Sequence, residues 1–374
     1  MTGACRTASV GIVSLGAIAI FHPGCGLPVG GSELQCWLLA RRLARESGIR
    51  VTLYVGSMGQ SIATAESVEI RPLVPVGRDL RLTWSRAFRA LAILARSGHD
   101  VFVTRSASGI NGVVWMASRL SGARHVHMCA HDRECAGEVD STLSPLARRL
   151  HGLAMRRADL LLCQTESQRK RLSERLGREA VVSPNLLPPL PTPPSEARSG
   201  VLWVGRDVEW KRPELFIEIA RSVPEERCTM VCQPQPGRDM SRLIRASPPN
   251  LSVLPGLSFE ETSRLFAAHR VFVCTSTEEG FPNVILQAAQ VGTPVVTLGV
   301  DPDGLISQHE GGIVCGDVGH AVRAIHCLLT DAQTWQKYSR GASEMAQSVG
   351  RRADEAVTLI LALARGDRDG KETR

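Results

Sequence analysis

The stretch that most constrains this chain covers residues 276–296, which follow one apolar segment of strand length and end in another. Val271–Cys274 precedes it, and the run Pro-Val-Val-Thr at 294–297 begins the next predicted strand. Between them, a loop that contains Gly280 leads into a helical pattern. The apolar stripe of that helix consists of Ile285, Ala288 and Ala289. Such a loop leaves free backbone N–H groups at the positive end of the helix, which suits an anion or sugar hydroxyls.

Polar side chains accompany this strand–loop–helix unit. Glu279 lies at the mouth of the loop, and Gln287 lies about two turns into the helix. Pro282 falls in the first helical turn, where a missing N–H costs nothing. Taken alone, the stretch is more typical of an ordinary unit of an α/β domain than of a binding site.

A glycine-rich loop also occurs near the start of the chain. The apolar run at 10–21 is too short to span a membrane, and we interpret it as a buried first strand rather than a signal peptide. Gly30 and Gly31 follow it and allow a ligand to approach the backbone closely. Ser32 is a candidate N-cap for the next helix. A pair of glycines by itself usually marks only a turn.

The second half of the chain repeats this organisation. Residues 200–205 predict a strand that ends in a glycine, and Arg206 and Lys211 follow before a helix that begins near Pro213. A guanidinium can bind a diphosphate through two hydrogen bonds, and an ammonium can bind it as a point charge. Cations near a helix start are common, so this pair alone is a weak indication.

His131 is the histidine with the most suggestive position. Residues 124–132 predict a strand that ends in His-Asp, and sites in open α/β sheets usually lie at the carboxyl ends of strands. We therefore expect His131 to be functional. His125 and His127 we interpret as residues of the strand itself.

Residues 78–96 predict an amphipathic helix. Its predicted apolar stripe consists of Trp84, Phe88, Leu91 and Ala95. The arginines that lie off this stripe are Arg86, Arg89 and Arg96. We favour a helix packed on the N-terminal sheet, and the alternative is contact with a membrane surface or a lipid-linked acceptor.

Taken together and in this order, the motifs resemble those of the family 4 glycosyltransferases, which have the GT-B fold. In that family the stretch 276–296 has the pattern E-G-F-x-x-x-x-x-E-A-x-x-x-G-x-P-V-V. This chain matches it at Glu279, Gly280, Phe281, Ala288, Gly292, Pro294, Val295 and Val296. Gln287 replaces the second Glu, which usually binds the ribose hydroxyls of the donor. An amide can still accept one such bond and donate another, but it carries no charge.

The resemblance extends over nearly the whole chain. The family's G-G-x-E motif is matched by Gly30, Gly31 and Glu33, and its G-R-x-x-x-x-K motif by Gly205, Arg206 and Lys211. The catalytic residues that the resemblance implies are Glu279, His131, Lys211 and Arg206. The donor-binding residues that it implies are Gly30, Gly31, Arg206, Lys211, Gly256, Leu257, Glu279, Gly280, Phe281, Pro282, Asn283, Val284 and Gln287.

The implied fold class is α/β, with two Rossmann-like, doubly wound parallel-sheet domains that face each other across a cleft. We expect an N-terminal acceptor domain at 1–185 and a C-terminal nucleotide-sugar donor domain at 199–350. The linker between them is predicted at 186–198, where the many prolines exclude a helix or a central strand. A C-terminal helix and a polar tail are expected at 351–374.

Charge and cysteine content bear on partners and location. Residues 1–195 hold 24 Lys and Arg against 14 Asp and Glu, whereas the remainder holds 20 against 23. The basic first half predicts an anionic neighbour, such as the inner membrane. Aromatic residues make up only 4% of the chain, which argues against nucleic-acid binding by base stacking. The 11 cysteines lack C-x-x-C pairs and predict reduced, buried thiols in the cytoplasm.

The resemblance implies transfer of a sugar from a nucleotide-sugar donor to an acceptor, with retention of configuration. We expect no cofactor and no metal, and a saccharide or lipid-linked acceptor from cell-envelope or polysaccharide biosynthesis. Two alternatives remain open. A GT-B-like sugar-nucleotide epimerase would need an acid/base pair, and a non-catalytic nucleotide-sugar-binding module would explain Gln287 as a first sign of decay.

Overall fold

The computed structural model describes residues 7–22, 25–27, 29–59, 64–77, 80, 82–138, 143–189, 197–235 and 238–366. The chain forms two compact units. The first consists of Met1–Leu186 and Arg351–Arg374, and the second of Leu187–Gly350. Most of the predicted linker and nearly all of the predicted polar tail, at 190–196 and 367–374, lie outside the described residues.

The first unit is built on a mainly parallel sheet. Its strands are β1 Ala8–Val13, β2 Ile49–Ser57, β3 Thr64–Ala65, β4 Val68–Pro75, β5 Val101–Arg105, β6 Arg124–Met128, β7 Leu160–Cys163 and β8 Val181–Val182. The order across the sheet is β3-β4-β2-β1-β5-β6-β7-β8. Within the described residues, only the pair β3–β4 is antiparallel.

Helices cover both faces of this sheet. They are α1 Ile18–Phe21, α2 Gly31–Ala44, α3 Trp84–Ala95, α4 Asn111–Ser121, α5 Asp132–Ala136, α6 Pro145–Arg157 and α7 Glu166–Leu176. One apolar core packs α2 against β1 and β2, and a second packs α3 and α4 against the other face. The central strands β1 and β5 are mainly apolar because both of their faces are buried.

The second unit has a six-stranded sheet in its described residues. Its strands are β9 Val201–Arg206, β10 Cys228–Gln233, β11 Leu251–Pro255, β12 Val271–Cys274, β13 Val295–Thr297 and β14 Gly312–Val314. The order is β11-β10-β9-β12-β13-β14, with parallel pairing throughout. Its helices are α8 Pro213–Ser222, α9 Ser241–Ala246, α10 Phe259–Ala268, α11 Asn283–Gln290, α12 Leu305–Gln308 and α13 Val318–Thr330.

Each sheet changes its winding direction at one place. The chain builds the first sheet outward from β1 on one side and then returns to build it outward from β5 on the other. In the second sheet the same change falls between β9 and β12. Loops at the carboxyl ends of two such neighbouring strands diverge and leave a crevice, which is where open α/β sheets bind ligands.

The last helix, α14, spans Ala332–Arg365, so the C-terminal helix expected from 351 onwards begins well before that residue. Its residues up to Gly350 belong to the second unit, and those that follow belong to the first. The side chains that it buries in the core of the first unit are Ala356, Val357, Ile360, Leu361 and Ala364. None of the helices within the described residues combines the length and apolar composition needed to cross a membrane.

Two local predictions for the first unit are wrong. The apolar run at 10–21 is a strand only up to Val13, after which the chain coils into a 3₁₀ turn and α1. The stripe predicted for α3 meets the core only in part, because Leu91 and Ala95 pack against it beside the fully buried Ala90 and Leu94. Trp84 and Phe88 are instead 68% and 66% exposed.

The described cysteines match the sequence prediction. The ten described cysteines form no disulfide with one another, and all are buried except Cys327.

A buried histidine links three strands of the first sheet. His99 precedes β5, and its ring nitrogens bond to the hydroxyls of Ser9 at 2.7 Å and Tyr54 at 2.9 Å. Burial and the positive charges of Arg50 and Arg71 lower the pKa of His99 to about 4.

We expect acid to destabilise the first unit through His99. In the unfolded chain this group titrates near 6.5, so at intermediate pH the unfolded state binds a proton that the folded state does not. The free energy of unfolding should therefore fall as the pH is lowered from 6.5 towards 4. Urea unfolding of wild type and His99→Gln across this range measures the effect. Equal pH dependence in the two proteins would remove His99 as a cause.

Candidate functional site

The crevice between β9 and β12 holds an ion pair. Lys211, in the 3₁₀ turn after β9, contacts Glu279, in the loop after β12, through its Nζ and the Oε1 of the carboxylate. Both side chains are largely buried, with 12% and 14% of their surface exposed. Pairing of the parallel strands β9 and β12 brings the two loops to the same edge of the sheet. The structure thus joins two of the four predicted catalytic residues.

Hydrogen bonds connect these two loops away from the ion pair. Thr275 Oγ1 accepts a bond from Trp203 Nε1 at 2.8 Å and donates to the carbonyl of Lys211 at 2.5 Å. Thr277 N–H donates to the carbonyl of Trp210 at 2.8 Å. A Cβ on Gly205 would lie 2.7 Å from the ring of Trp203, so glycine is needed where β9 ends. The backbone that carries Lys211 is therefore held in place from both sides.

Arg206 occupies a more open position than Lys211. It is exposed, and its guanidinium lies over the ring of Trp210 with Cζ 5.9 Å from the centroid. A cation–π contact of this kind restricts the side chain while its N–H groups stay accessible. Trp210 therefore supports Arg206, a role that sequence reasoning did not identify.

The start of α11 supplies backbone donors. The helix begins at Asn283, so Pro282 is its N-cap. The prediction that Pro282 lies in the first turn is therefore wrong. Gly280 and Phe281 are buried, and the Phe281 ring packs in the apolar core with Ile285. Only the backbone of Phe281 can therefore meet a ligand. Asn283 and Val284 are half-buried and lie in the first turn, at the positive end of the helix dipole.

The remaining predicted donor residues lie on neighbouring elements. Gln287 is 8% exposed and lines a crevice with Gln290, Ser263, Pro188 and Pro189. Gly256 and Leu257 follow β11 directly, at the same edge of the sheet as Lys211. Neither is buried.

Arg212 is a positioning residue that sequence reasoning missed. It has a left-handed backbone (φ 48°), and its side chain donates to three carbonyls. The accepting oxygens are those of Thr275 at 2.5 Å, Ser276 at 3.4 Å and Leu298 at 3.2 Å. Its place before Pro213, which disfavours a helical backbone, was the available signal.

In the first unit, the glycine loop is closed by a glutamate. Gly30 is the N-cap of α2, and the helix begins at Gly31, so the prediction of Ser32 as N-cap is wrong. Ser32 instead bonds to Ser106 at 2.7 Å between hydroxyls. A Cβ on Gly30 would lie 2.5 Å from Oε2 of Glu33, which folds back over the loop. This carboxylate complements the positive end of α2.

His131 follows the carboxyl end of β6, but the strand ends at Met128 and not at His131 and Asp132 as predicted. It is half-buried, acts as N-cap of α5, and its Nδ1 accepts a bond from Arg133 N–H at 3.2 Å. His125 and His127 are fully buried strand residues, as predicted. Burial lowers the pKa of His125 to about 3, so this ring is neutral.

Two groups of side chains have the chemistry of metal ligands. Within the described residues, donor atoms of His127, Cys129 and Glu134 lie within 4.8 Å of one another, a set that could bind zinc. His127 Nε2 there bonds to Glu134 Oε1 at 2.9 Å. Asp301 and Asp303 have the spacing of a D-x-D motif. The two oxygens of Asp301, however, accept N–H bonds from Ile306 at 2.8 Å and Ser307 at 3.2 Å, which fix a turn.

Comparison with known families accounts for both units. Residues 29–187 match the model described as glycosyltransferase family 4, and residues 198–331 match the model described as glycosyl transferases group 1. Together these matches cover most of the chain and include every predicted site residue. The chain belongs to glycosyltransferase family 4. The resemblance inferred from the motifs is thereby confirmed.

Individual relatives are more distant. Sulfoquinovosyl transferase SQD2 of Arabidopsis thaliana is 31% identical over 167 residues, which are 43% of this chain and 32% of that protein. This family 4 chain thus spans about a third of the length of that curated relative.

Solved structures confirm the fold. Anabaena Alr3699/HepE, in complex with UDP and glucose, aligns with a TM-score of 0.73 and 16% identity over 95% of this chain and 100% of its own. The sucrose-phosphate synthase of Thermosynechococcus elongatus aligns with a TM-score of 0.72 and 16% identity, over 96% and 100%. At this identity the likeness shows the GT-B fold, with two Rossmann-like parallel-sheet domains.

The contacts of Arg206 and Arg212 predict that the same substitution, Arg to Lys, destabilises the protein at Arg212 but hardly at Arg206. Arg212→Lys loses bonds from a charged donor to carbonyls and should lower the free energy of unfolding by about 2 kcal/mol. Arg206→Lys changes an exposed side chain and should stay within about 0.5 kcal/mol of wild type. Chemical unfolding of the matched pair measures both values. Equal losses would mean that Arg206 also holds the loop together.

Proposed function

We propose that this family 4 chain transfers a sugar from a nucleotide-sugar donor to a saccharide or lipid-linked acceptor. The observation that carries the proposal is the Lys211–Glu279 ion pair at the crevice between β9 and β12. Both residues occupy motif positions to which the family assigns donor contacts, and Arg206 and the start of α11 lie on the same loops.

The catalytic contribution is mainly electrostatic. As the sugar leaves, negative charge grows on the departing diphosphate, and preorganised donors stabilise that charge most effectively. Lys211 supplies an ammonium, Arg206 a guanidinium with accessible N–H groups, and Asn283 and Val284 lie at the positive end of α11. A diphosphate that binds Lys211 releases Glu279, whose carboxylate can then accept bonds from sugar hydroxyls.

The proposed reaction retains configuration and uses no metal. The bond between the anomeric carbon and the diphosphate oxygen breaks, and a bond to the acceptor oxygen forms on the same face of the sugar. The acceptor proton goes to the departing phosphate oxygen, so the protein need not supply a base. His131 of the first unit is our proposed contact to the transferred sugar, and Gly30 and Gly31 our proposed contacts to the donor.

Gln287 is proposed to bond to the ribose hydroxyls. Its amide can accept one bond and donate another. Gly256 and Leu257 are proposed to meet the base through backbone groups. The identities of the base, the sugar and the acceptor are left to experiment.

Two alternatives have distinct signatures. An epimerase would convert the nucleotide sugar in the absence of an acceptor, so product analysis without acceptor distinguishes it. A non-catalytic module would bind the nucleotide sugar with neither transfer nor hydrolysis. We favour transfer because the Lys211–Glu279 pair and Arg206 are all in place.

Thermal unfolding with UDP-, GDP- and ADP-sugars tests the donor class. A ligand that binds the folded state raises the melting temperature, and we expect a selective rise with one nucleotide. Gln287→Glu should increase that rise if the amide weakens ribose binding. Lys211→Ala should abolish most of it, since the ammonium is lost.

The panel has clear outcomes against the proposal. No rise with any nucleotide sugar, together with no transfer in a mixed-acceptor assay, would contradict glycosyl transfer. An undiminished rise in Lys211→Ala would remove that residue from the donor site.

A lipid-linked acceptor is favoured by an exposed surface of the first unit. Helix α4 packs between α3 and α6, and we call these three helices the arginine-rich face. Residues 84–96, 111–121 and 145–157 contain no Asp or Glu. Their arginines are Arg86, Arg89, Arg96, Arg119, Arg148, Arg149, Arg156 and Arg157.

Apolar side chains are exposed on the same face. Trp84 and Phe88 stack with their ring centroids 6.4 Å apart, and Leu146 and Leu153 on α6 are also exposed. Aromatic rings beside arginines match the interface of an anionic membrane, which accepts both. We therefore propose that this face rests on the cytoplasmic leaflet of the inner membrane.

Co-sedimentation with vesicles tests this surface. Wild type should bind vesicles that contain anionic phosphatidylglycerol, and added salt should weaken that binding because screening shortens the attraction. The double variant Trp84→Ser, Phe88→Ser should bind at least about tenfold more weakly, since burial of the two rings in the lipid interface contributes more than about 1.4 kcal/mol to binding. Ile244→Ser, an exposed apolar residue of the second unit, is the matched control. Equal binding of both variants would exclude the aromatic pair.

A further inference from the structure

The helix that carries His131 is too short to be stable by itself. Helix α5 has five residues, Asp132–Ala136, whereas isolated helices shorter than about 12 residues are marginal in water. His131 is its N-cap, and the hydrogen bond from Arg133 N–H to Nδ1 exists only while α5 is formed. Whatever fixes α5 therefore also fixes the His131 ring.

This bond also decides which nitrogen of His131 carries the proton. Because Nδ1 accepts from Arg133 N–H, the neutral ring must carry its proton on Nε2. The ring then presents Nε2–H as a donor, directed away from its own backbone. A sugar hydroxyl or ring oxygen can accept from such a group.

Glu134, the third residue of α5, anchors the helix from inside. Its side chain is 3% exposed, and its Oε1 accepts a bond from His127 Nε2 at 2.9 Å. His151 Nε2, on α6, lies 3.4 Å from the same oxygen. The second oxygen, Oε2, accepts from Ala130 N–H at 2.9 Å, the residue directly before His131.

The two histidines are themselves fixed by hydrogen bonds to their Nδ1 atoms. Thr104 on β5 bonds through its Oγ1 to His127 Nδ1 at 2.9 Å, and Asn111 on α4 donates to His151 Nδ1 at 3.1 Å. With Nδ1 as the acceptor, each ring carries its proton on Nε2, and that of His127 donates to Glu134. Burial alone would raise the pKa of Glu134, but the bond from His127 and the nearby ring of His151 outweigh burial and hold that pKa far below its usual range. The carboxylate is therefore ionised.

We propose that Glu134 is a positioning residue for His131. Its contacts with His127 and His151 hold α5 against the sheet and against α6. Its bond to Ala130 N–H fixes the backbone directly before His131 and so orients the His131 ring. The inference rests on the proposed function insofar as His131 acts in sugar transfer. Its structural part, the control of the His131 tautomer, holds whether or not the enzyme is active.

The substitution that isolates this role is Glu134→Gln. The amide has nearly the same shape, and its oxygen can still accept from His127. Its NH₂ group would then face Ala130 N–H, so two donors meet and that bond is lost. We expect kcat to fall about 10- to 100-fold, because small misplacements of reacting groups have effects of this size. KM for the donor should change less than kcat, since the proposed contacts to its diphosphate, ribose and base lie on other residues.

A double-mutant cycle distinguishes positioning from general loss of structure. If Glu134 acts through His131, Glu134→Gln should slow His131→Ala no further. His99→Gln is the matched control, because it removes another buried, doubly bonded histidine of the same sheet. Its effect on kcat should be small and should add to that of His131→Ala. His151→Gln, which keeps a donor near Glu134, serves if Glu134→Gln fails to fold.

A second readout does not need activity. Long-range proton–nitrogen NMR spectra of the histidine rings distinguish the Nε2–H tautomer from the Nδ1–H tautomer. We expect Nε2–H for His131 in wild type and a mixture in Glu134→Gln. Additive kinetic effects together with an unchanged His131 tautomer would overturn the proposal. If the wild type is inactive but Glu134→Gln still changes the His131 tautomer, the proposed function is contradicted and the positioning of His131 by Glu134 is retained.

Discussion

The pairing of β9 with β12 is the constraint on which the candidate site depends. These strands are far apart in sequence, yet their hydrogen-bonded register places the loop that holds Lys211 beside the loop that holds Glu279. The side chains of Thr275 and Arg212 then join the two loops by donating to the carbonyls of Lys211 and Thr275. The charges of the site are thus set by sheet topology, and the switch in winding direction leaves the space in which a diphosphate can bind.

The two units place their polar side chains differently. In the second unit, Arg206 is exposed and Lys211 lies at the edge of its sheet, where a charged ligand can reach them. In the first unit, Glu134 and its two histidines lie inside, and the neighbouring His131 is half-buried. A buried carboxylate is costly unless several donors satisfy it, and once satisfied it specifies one arrangement of the surrounding backbone.

Sequence reasoning located most strands and the site loops because apolar runs and glycines have direct physical meanings. It failed for α3, where two stripes of the helix are apolar and burial selects the one with the smaller side chains. Ala90 and Leu94 pack against α4 and the sheet, whereas Trp84 and Phe88 remain outside. Periodicity identifies that a helix is amphipathic, but it cannot say which apolar stripe meets the sheet.

The sequence by itself determined the α/β class, the order of the motifs and the family, since these depend on residue types at fixed spacings along the chain. Only the tertiary structure decided that Lys211 pairs with Glu279, that Trp210 supports Arg206 and that Glu134 lies between His127 and His151. Such contacts join residues on different elements. They depend on strand register and helix packing, for which no local pattern carries the information.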